Sequence, residues 1–142
     1  MTNRPKQIGT LGETAVVKAM RANGFPGAER KPLGGAGIGQ DLGDINLCPG
    51  VIAEVKWGAH AKNASLADIA SWWRETERER HNSGAVIGLL VVQRKGYGDQ
   101  RADMSRAFLD LGVVWGHDHL RVELVLHEAL EVLRKEGWGD PL

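Results

Sequence analysis

The chain has 142 residues, 42% of them hydrophobic and 25% charged, with one cysteine and a formal net charge of zero. That length makes a single domain, spanning residues 1–142, with material for a central sheet and covering helices, and the neutral balance separates it from proteins that hold nucleic acid by bulk charge. A lone cysteine excludes an internal disulfide, no apolar run approaches the roughly 20 residues of a membrane span, and no signal-peptide core is present, so a cytoplasmic protein is expected.

Thr10 to Gly24 reads as the first helix, with Leu11, Val16 and Met20 on its apolar side and Gly24 as its stop. Thr10-Leu11-Gly12-Glu13 fits a capping box, in which the glutamate reaches back to the cap's backbone N–H. Phe25 to Lys31 reads as a short strand ending in Arg30, Lys31 and Pro32. Gly34, Gly35, Gly37 and Gly39 follow, a loop whose backbone suits close approach to phosphate; a plain mobile loop is the alternative. No helix follows it, so it is not a dinucleotide fingerprint.

The next stretch, DINLCPGVIAEVKW, carries the candidate chemistry. Val51, Ile52 and Val55 mark a strand beginning after the Pro49-Gly50 turn. Glu54 and Lys56, spaced i and i+2, share one of its faces, where charge must be paired or metal-bound if buried. A three-residue loop of Cys48, Pro49 and Gly50 would pair Leu47 with Val51, Asn46 with Ile52, Ile45 with Ala53 and Asp44 with Glu54. Opposed carboxylates about 5 Å apart at their β-carbons repel unless a proton or a cation lies between them. A two-residue loop would turn Asp44 to the other face. Asp41, in the loop, ranks behind Asp44 as an outer or capping acid.

Ser65 to His81 reads as a second helix, with a Ser65/Asp68 capping box and Leu66, Ile69, Ala70 and Trp73 on its buried face. Its later turns, RETERERH, read as solvated, and Trp72 falls at a core edge or a dimer contact. Ala85 to Gln93 is a central strand covered on both faces, followed by Arg94 and Lys95. Arg101 to Leu111 reads as a third helix, Val113 to Trp115 and Leu120 to Leu126 as strands, and His127 to Glu136 as a closing helix with Ala129, Leu130 and Leu133 buried. His117 and His119 lie in what reads as a turn, without further metal ligands nearby in sequence.

An aspartate, about ten residues, then Glu54-Val55-Lys56 resembles the catalytic motif of the PD-(D/E)xK nuclease superfamily, with Gly43 where the superfamily's name has proline. GTLGETAVVKAMRANGF and AERKPLGGAG resemble the opening of the archaeal-type and phage Holliday junction resolvases: a glutamate-bearing helix, a G-F turn, an arginine-bearing strand and a glycine-rich loop. The resemblance covers roughly residues 8–95. It implies a restriction-endonuclease-like α/β fold, a mixed central sheet flanked by helices with an α-β-β-β-α-β core.

It also implies a DNA endonuclease cleaving branched DNA such as four-way junctions, as a homodimer, in recombination or repair, with a phage source among those the resemblance implies. A restriction- or repair-type endonuclease on duplex or flapped DNA, or a catalytically silent nucleic-acid-binding relative, are the alternatives. The implied metal ligands are Asp44, Glu54, the Val55 carbonyl and Glu13, so Glu13 stands between a metal role and a cap. Oxygen donors suit a hard cation, Mg²⁺ with Mn²⁺ able to substitute. Lys56 would stabilise charge on the phosphate, completing the catalytic set Glu13, Asp44, Glu54 and Lys56. Arg30, Lys31, Gly35, Gly37, Lys62, Arg94 and Lys95 are the expected DNA contacts. Residues 1–56 hold seven Lys/Arg against five Asp/Glu, and residues 101–142 hold five against eight. Glu13, Asp44 and Glu54 are three of the first five acids, so a bound cation would leave the surface around them positive.

Overall fold

The computed structural model describes residues 4–31 and 44–140. The expected glycine-rich loop, with Gly35, Gly37 and Asp41, lies outside the described residues. Those described form a mixed α/β fold around one six-stranded sheet of order β1-β2-β3-β4-β5-β6. Helix α1 (Arg4–Ala22) leads into the short edge strand β1 (Glu29–Arg30), and β2 (Ile45–Cys48) and β3 (Val51–Lys56) form a hairpin. After the one-turn helix α2 (Ala59–Lys62), helix α3 (Leu66–Ser83) crosses over to β4 (Ile87–Val92), which lies parallel to β3. A 3-10 helix (Asp99–Met104), β5 (Arg106–Asp110), α4 (Leu111–Trp115), β6 (Arg121–Val125) and α5 (Leu126–Lys135) complete the chain. Except for β3–β4, all neighbouring strands pair antiparallel.

The sheet is covered on both faces. On one, Val16 and Met20 of α1 and Leu126, Leu130 and Leu133 of α5 pack on Val51, Ala53, Leu89, Val91 and Leu109. On the other, Ile69 of α3 and Ala61 of α2 pack on Leu90, Val92 and Phe108. Strand β4 is buried at every position, as its unbroken apolar run predicts. Gly88 lets α3 come close, since a β-carbon there would meet Thr76 Cγ2 at 3.1 Å. No described helix is long and apolar enough to cross a membrane.

Several expectations change. Helix α1 begins well before Thr10, so Thr10 is mid-helix and no capping box forms there; Glu13 is not a cap. Of Phe25 to Lys31, only Glu29–Arg30 pairs as strand. The hairpin turn is the two-residue Pro49-Gly50, because Cys48 pairs with Val51. A register irregularity between Asn46 and Cys48 takes up Leu47 as an extra residue, so Asn46↔Ile52 and Ile45↔Ala53 hold as expected. A two-residue turn therefore preserves the face that it would otherwise have lost. The Ser65/Asp68 capping box on α3 forms, whereas Leu66 is exposed.

Arg101 to Leu111 is not a helix. Ala107, Phe108 and Leu109 are buried on both faces of β5, and their pairing with β4 and β6 outweighs the helical spacing. Val113 to Trp115 belong to α4, which Asp110 caps by accepting from Val113 N–H at 3.2 Å and which Gly116 ends in the left-handed conformation. The final strand and helix fall where expected, with Ala129, Leu130 and Leu133 buried.

Candidate active site

The acids and the lysine of the β2–β3 hairpin meet α3 where the two layers touch. Asp44 sits just ahead of β2, its N–H donating to Ala53 O at 3.1 Å and its carbonyl accepting from Lys31 N–H at 3.0 Å. Its carboxylate Oδ2 accepts from the backbone N–H of Val55 at 2.8 Å. That bond holds the side chain against β3 beside Glu54, although the strand pairing itself stops at Ile45↔Ala53. Glu54 and Lys56 share a face as predicted, with Lys56 Nζ 3.5 Å from Glu54 Oε1.

Glu54 is buried at 5% exposure, and its Oε2 has no hydrogen-bond partner. Burial pushes its carboxyl far above the usual carboxylate range, and the neighbouring Glu79 and Asp44 carboxyls add to the effect against Lys56. Burial also works against the charge on Lys56, but Glu54, Glu75 and Asp44 outweigh it and hold the ammonium above its ordinary value. Lys56 carries a full positive charge at neutral pH.

Glu13 projects from α1, its Oε1 3.7 Å from Arg30 Nε. Its carboxyl is raised by burial and by the charge of Asp44, with Arg30 opposing. The charge of Asp44 contributes to the shifts of Glu13, Glu54 and Lys56 alike.

Two members of the cluster were not anticipated. Glu75 and Glu79 of α3 each bring a carboxylate oxygen to within 4.8 Å of a Glu54 oxygen and of each other. Glu79 is fully buried, and Thr76 beside it donates to Trp72 O at 2.8 Å. The stretch read as solvated is therefore half of an interface. Continuing the Ile69 stripe at helical spacing through Trp72, Thr76 and Glu79 would have found it. Trp72 packs at the edge of the second core, edge-on to His60, with Lys56 Nζ 5.8 Å from its ring centre.

The basic residues divide. Burial lowers the Lys31 ammonium below its ordinary value, opposed by Glu79, while Arg30 is engaged with Glu13. Arg94 Nε donates to Met104 O at 2.8 Å, which ties the end of β4 to the 3-10 helix. Lys62 and Lys95 are exposed. Because β3 and β4 run parallel, with Gln93 N–H bonded to Lys56 O at 2.9 Å, residues just after either strand lie at the end of the sheet that carries Lys56. Of the two turn histidines, His119 Nδ1 lies 2.6 Å from Asp110 Oδ2, and neither joins a group of metal-ligand type among the described residues. A cavity of about 620 Å³ between α1 and the 3-10 helix contains none of the clustered acids.

Compared with known proteins, the chain matches no family model, no curated protein and no solved structure.

Proposed function

We propose that the protein is a Mg²⁺-dependent DNA endonuclease with a restriction-endonuclease-like fold, acting on branched DNA. The observation that carries this reading is the convergence of Asp44, Glu54 and Lys56: two carboxyls and one ammonium, brought together by a hairpin whose bulge keeps them in register. A purely structural pair would not bury Glu79 beside Glu54 and bring the half-buried Glu75 to both, because each buried acid must find a proton or a cation.

The donor set fits a hard divalent ion. It consists of oxygens, and Glu54 Oε2 is a buried acceptor without a hydrogen bond. Asp44, Glu54, the Val55 carbonyl and Glu13 are the groups that would hold it by the resemblance, while the described carboxylates within 4.8 Å of one another are those of Glu54, Glu75 and Glu79. When bound, such an ion polarises the scissile phosphate and acidifies the attacking water. The protein's own part is electrostatic. Lys56, kept protonated by its acidic neighbours, faces the developing negative charge on the phosphate oxygens and acts as a fixed counter-charge, not as a base. Lys62, Arg94 and Lys95, at the same end of the sheet, suit contacts to the DNA backbone, and recognition is by shape in place of base sequence. A homodimer would present two such sites to a four-way junction.

The deciding assay incubates the protein with four-way junction, flap, duplex and single-stranded DNA, with Mg²⁺ or with chelator. Metal-dependent cutting that is strongest on the junction is expected, and Glu54→Gln should abolish it. Failure to cut any of the four with either Mg²⁺ or Mn²⁺ would refute the nuclease reading. Binding without cutting would favour a silent nucleic-acid-binding relative.

A further inference from the structure

We propose that Glu75 of α3 is a positioning residue that fixes the Lys56 ammonium for the reaction, an inference that rests on the nuclease reading above. Lysine carries its charge on a flexible four-carbon stem and is not placed by its backbone alone. Lys56 is the last residue of β3, where that stem has open solvent within reach. It does not take that route: only 23% of the side chain is exposed, because α3 holds it.

Three groups restrain the ammonium, and they are not equivalent. Glu75 meets it with both carboxylate oxygens at 3.2 Å, a two-point contact. Glu54 approaches at 3.5 Å through one oxygen, and Trp72 offers its ring face at 5.8 Å. Glu54 stands on the same strand two residues back, so it moves with Lys56 and cannot fix it relative to the rest of the fold. Glu75 comes from the opposite layer, from a helix anchored by the Ser65/Asp68 capping box and seated closely over Gly88. The contact therefore references the lysine to α3.

The position of Glu75 also separates it from the other acids. Its side chain is about a quarter exposed, whereas Glu79, one turn further on, is fully buried. It is therefore not needed to fill the core. Both of its oxygens are engaged with Lys56, although they also lie near those of Glu54 and Glu79. A catalytic ammonium displaced by about 1 Å loses much of its value, because the stabilisation depends on a preorganised charge at a fixed place.

Two measurements on the full chain test the assignment. The first labels the folded protein briefly with a water-soluble amine-acylating ester and quantifies Lys56 modification by peptide mass spectrometry. Glu75→Ala should raise the Lys56 rate several-fold and leave exposed Lys62 and Lys95 unchanged, while Glu75→Gln, which keeps one acceptor, should fall between. The second measures steady-state cleavage of four-way-junction DNA with Mg²⁺. Glu75→Ala should lower kcat about 10- to 100-fold with KM little changed. Glu75→Gln should recover part of the loss, and in a Lys56→Ala background Glu75→Ala should cost nothing further.

An unchanged Lys56 labelling rate would overturn the clamp. Full kcat in Glu75→Ala, or a loss that multiplies independently with that of Lys56→Ala, would overturn the role in catalysis. Faster labelling in a protein whose wild type cuts no DNA would overturn the nuclease reading, and with it any catalytic role for Glu75, while leaving the ion pair in place.

Discussion

The carboxylate of Asp44 accepts a 2.8 Å hydrogen bond from the backbone N–H of Val55, the residue between Glu54 and Lys56. This one contact fixes a loop-borne acid against the strand that carries the other two charges. It works because the bulge between Asn46 and Cys48 compensates for the short Pro49-Gly50 turn. The backbone itself thus positions the Asp44 carboxylate against β3.

Asp44→Asn follows from that contact. The amide oxygen can still accept from Val55 N–H, so the melting temperature should change by little, about 1 kcal/mol or less in stability. The negative charge is lost, however, and with it a metal ligand. Mg²⁺-dependent cleavage should disappear, while metal-free binding to branched DNA stays equal or tightens, because one charge repelling phosphate is gone. Electrophoretic mobility shifts in chelator, beside cleavage assays on the same preparation, check both halves. An Asp44→Asn protein that cuts as well as wild type rules Asp44 out as a ligand.

Glu13→Gln separates catalysis from stability at a second position. Glu13 lies inside α1 and caps nothing, and its pairing with Arg30 is long and partly solvated, worth about 0–1 kcal/mol. The melting temperature should therefore hold and cleavage should fall sharply. A substituted protein that melts much earlier yet retains its turnover would assign Glu13 to the scaffold.

The buried Glu54 carboxyl gives the metal-free protein a stability that depends on pH. Its folded pKa is raised, so its contribution is full below the unfolded value of about 4.3 and is lost as pH rises toward the folded value. Above about pH 4.3 the unfolded chain releases a proton that the folded protein keeps, and stability declines. Thermal melts in chelator should show this decline between about pH 5 and about pH 8, and Glu54→Gln should flatten it. Mg²⁺ should restore stability at the upper end. Equal slopes in wild type and Glu54→Gln would show that Glu54 is not the group responsible.

Gly12→Ala tests how α1 is seated. A β-carbon at Gly12 would lie 2.5 Å from both Cβ and Cγ of Trp57, the root of that side chain and not its movable end. Alanine favours helix over glycine by up to about 1 kcal/mol, but overpacking of this kind costs about 1–3 kcal/mol, so the net effect should be destabilising. Because Glu13 follows directly, cleavage should fall as well. Denaturant unfolding of the two proteins decides the sign, and a stabilised Gly12→Ala would mean that Trp57 moves freely.

By itself the sequence determined the local features. The alternation of VIAEVK places Glu54 and Lys56 on one face, the unbroken apolar run of β4 requires cover on both sides, and Ser65 with Asp68 starts α3. These follow from fixed side-chain periodicity and short-range hydrogen bonding, which act within a few residues. Tertiary structure decided the rest. Residues 106–110 became strand because β4 and β6 offered ladders on either side, a gain that no local pattern encodes. The bulge at Leu47 was set by core packing, since Ile45 and Leu47 are both fully buried in the same core. Glu75 and Glu79 joined the site because Gly88 lets α3 settle on β4, bringing carboxyls some 20 residues downstream over Glu54 and Lys56. Which acids share a cation or a proton depends on distances across two layers, and those distances exist only once the layers have packed.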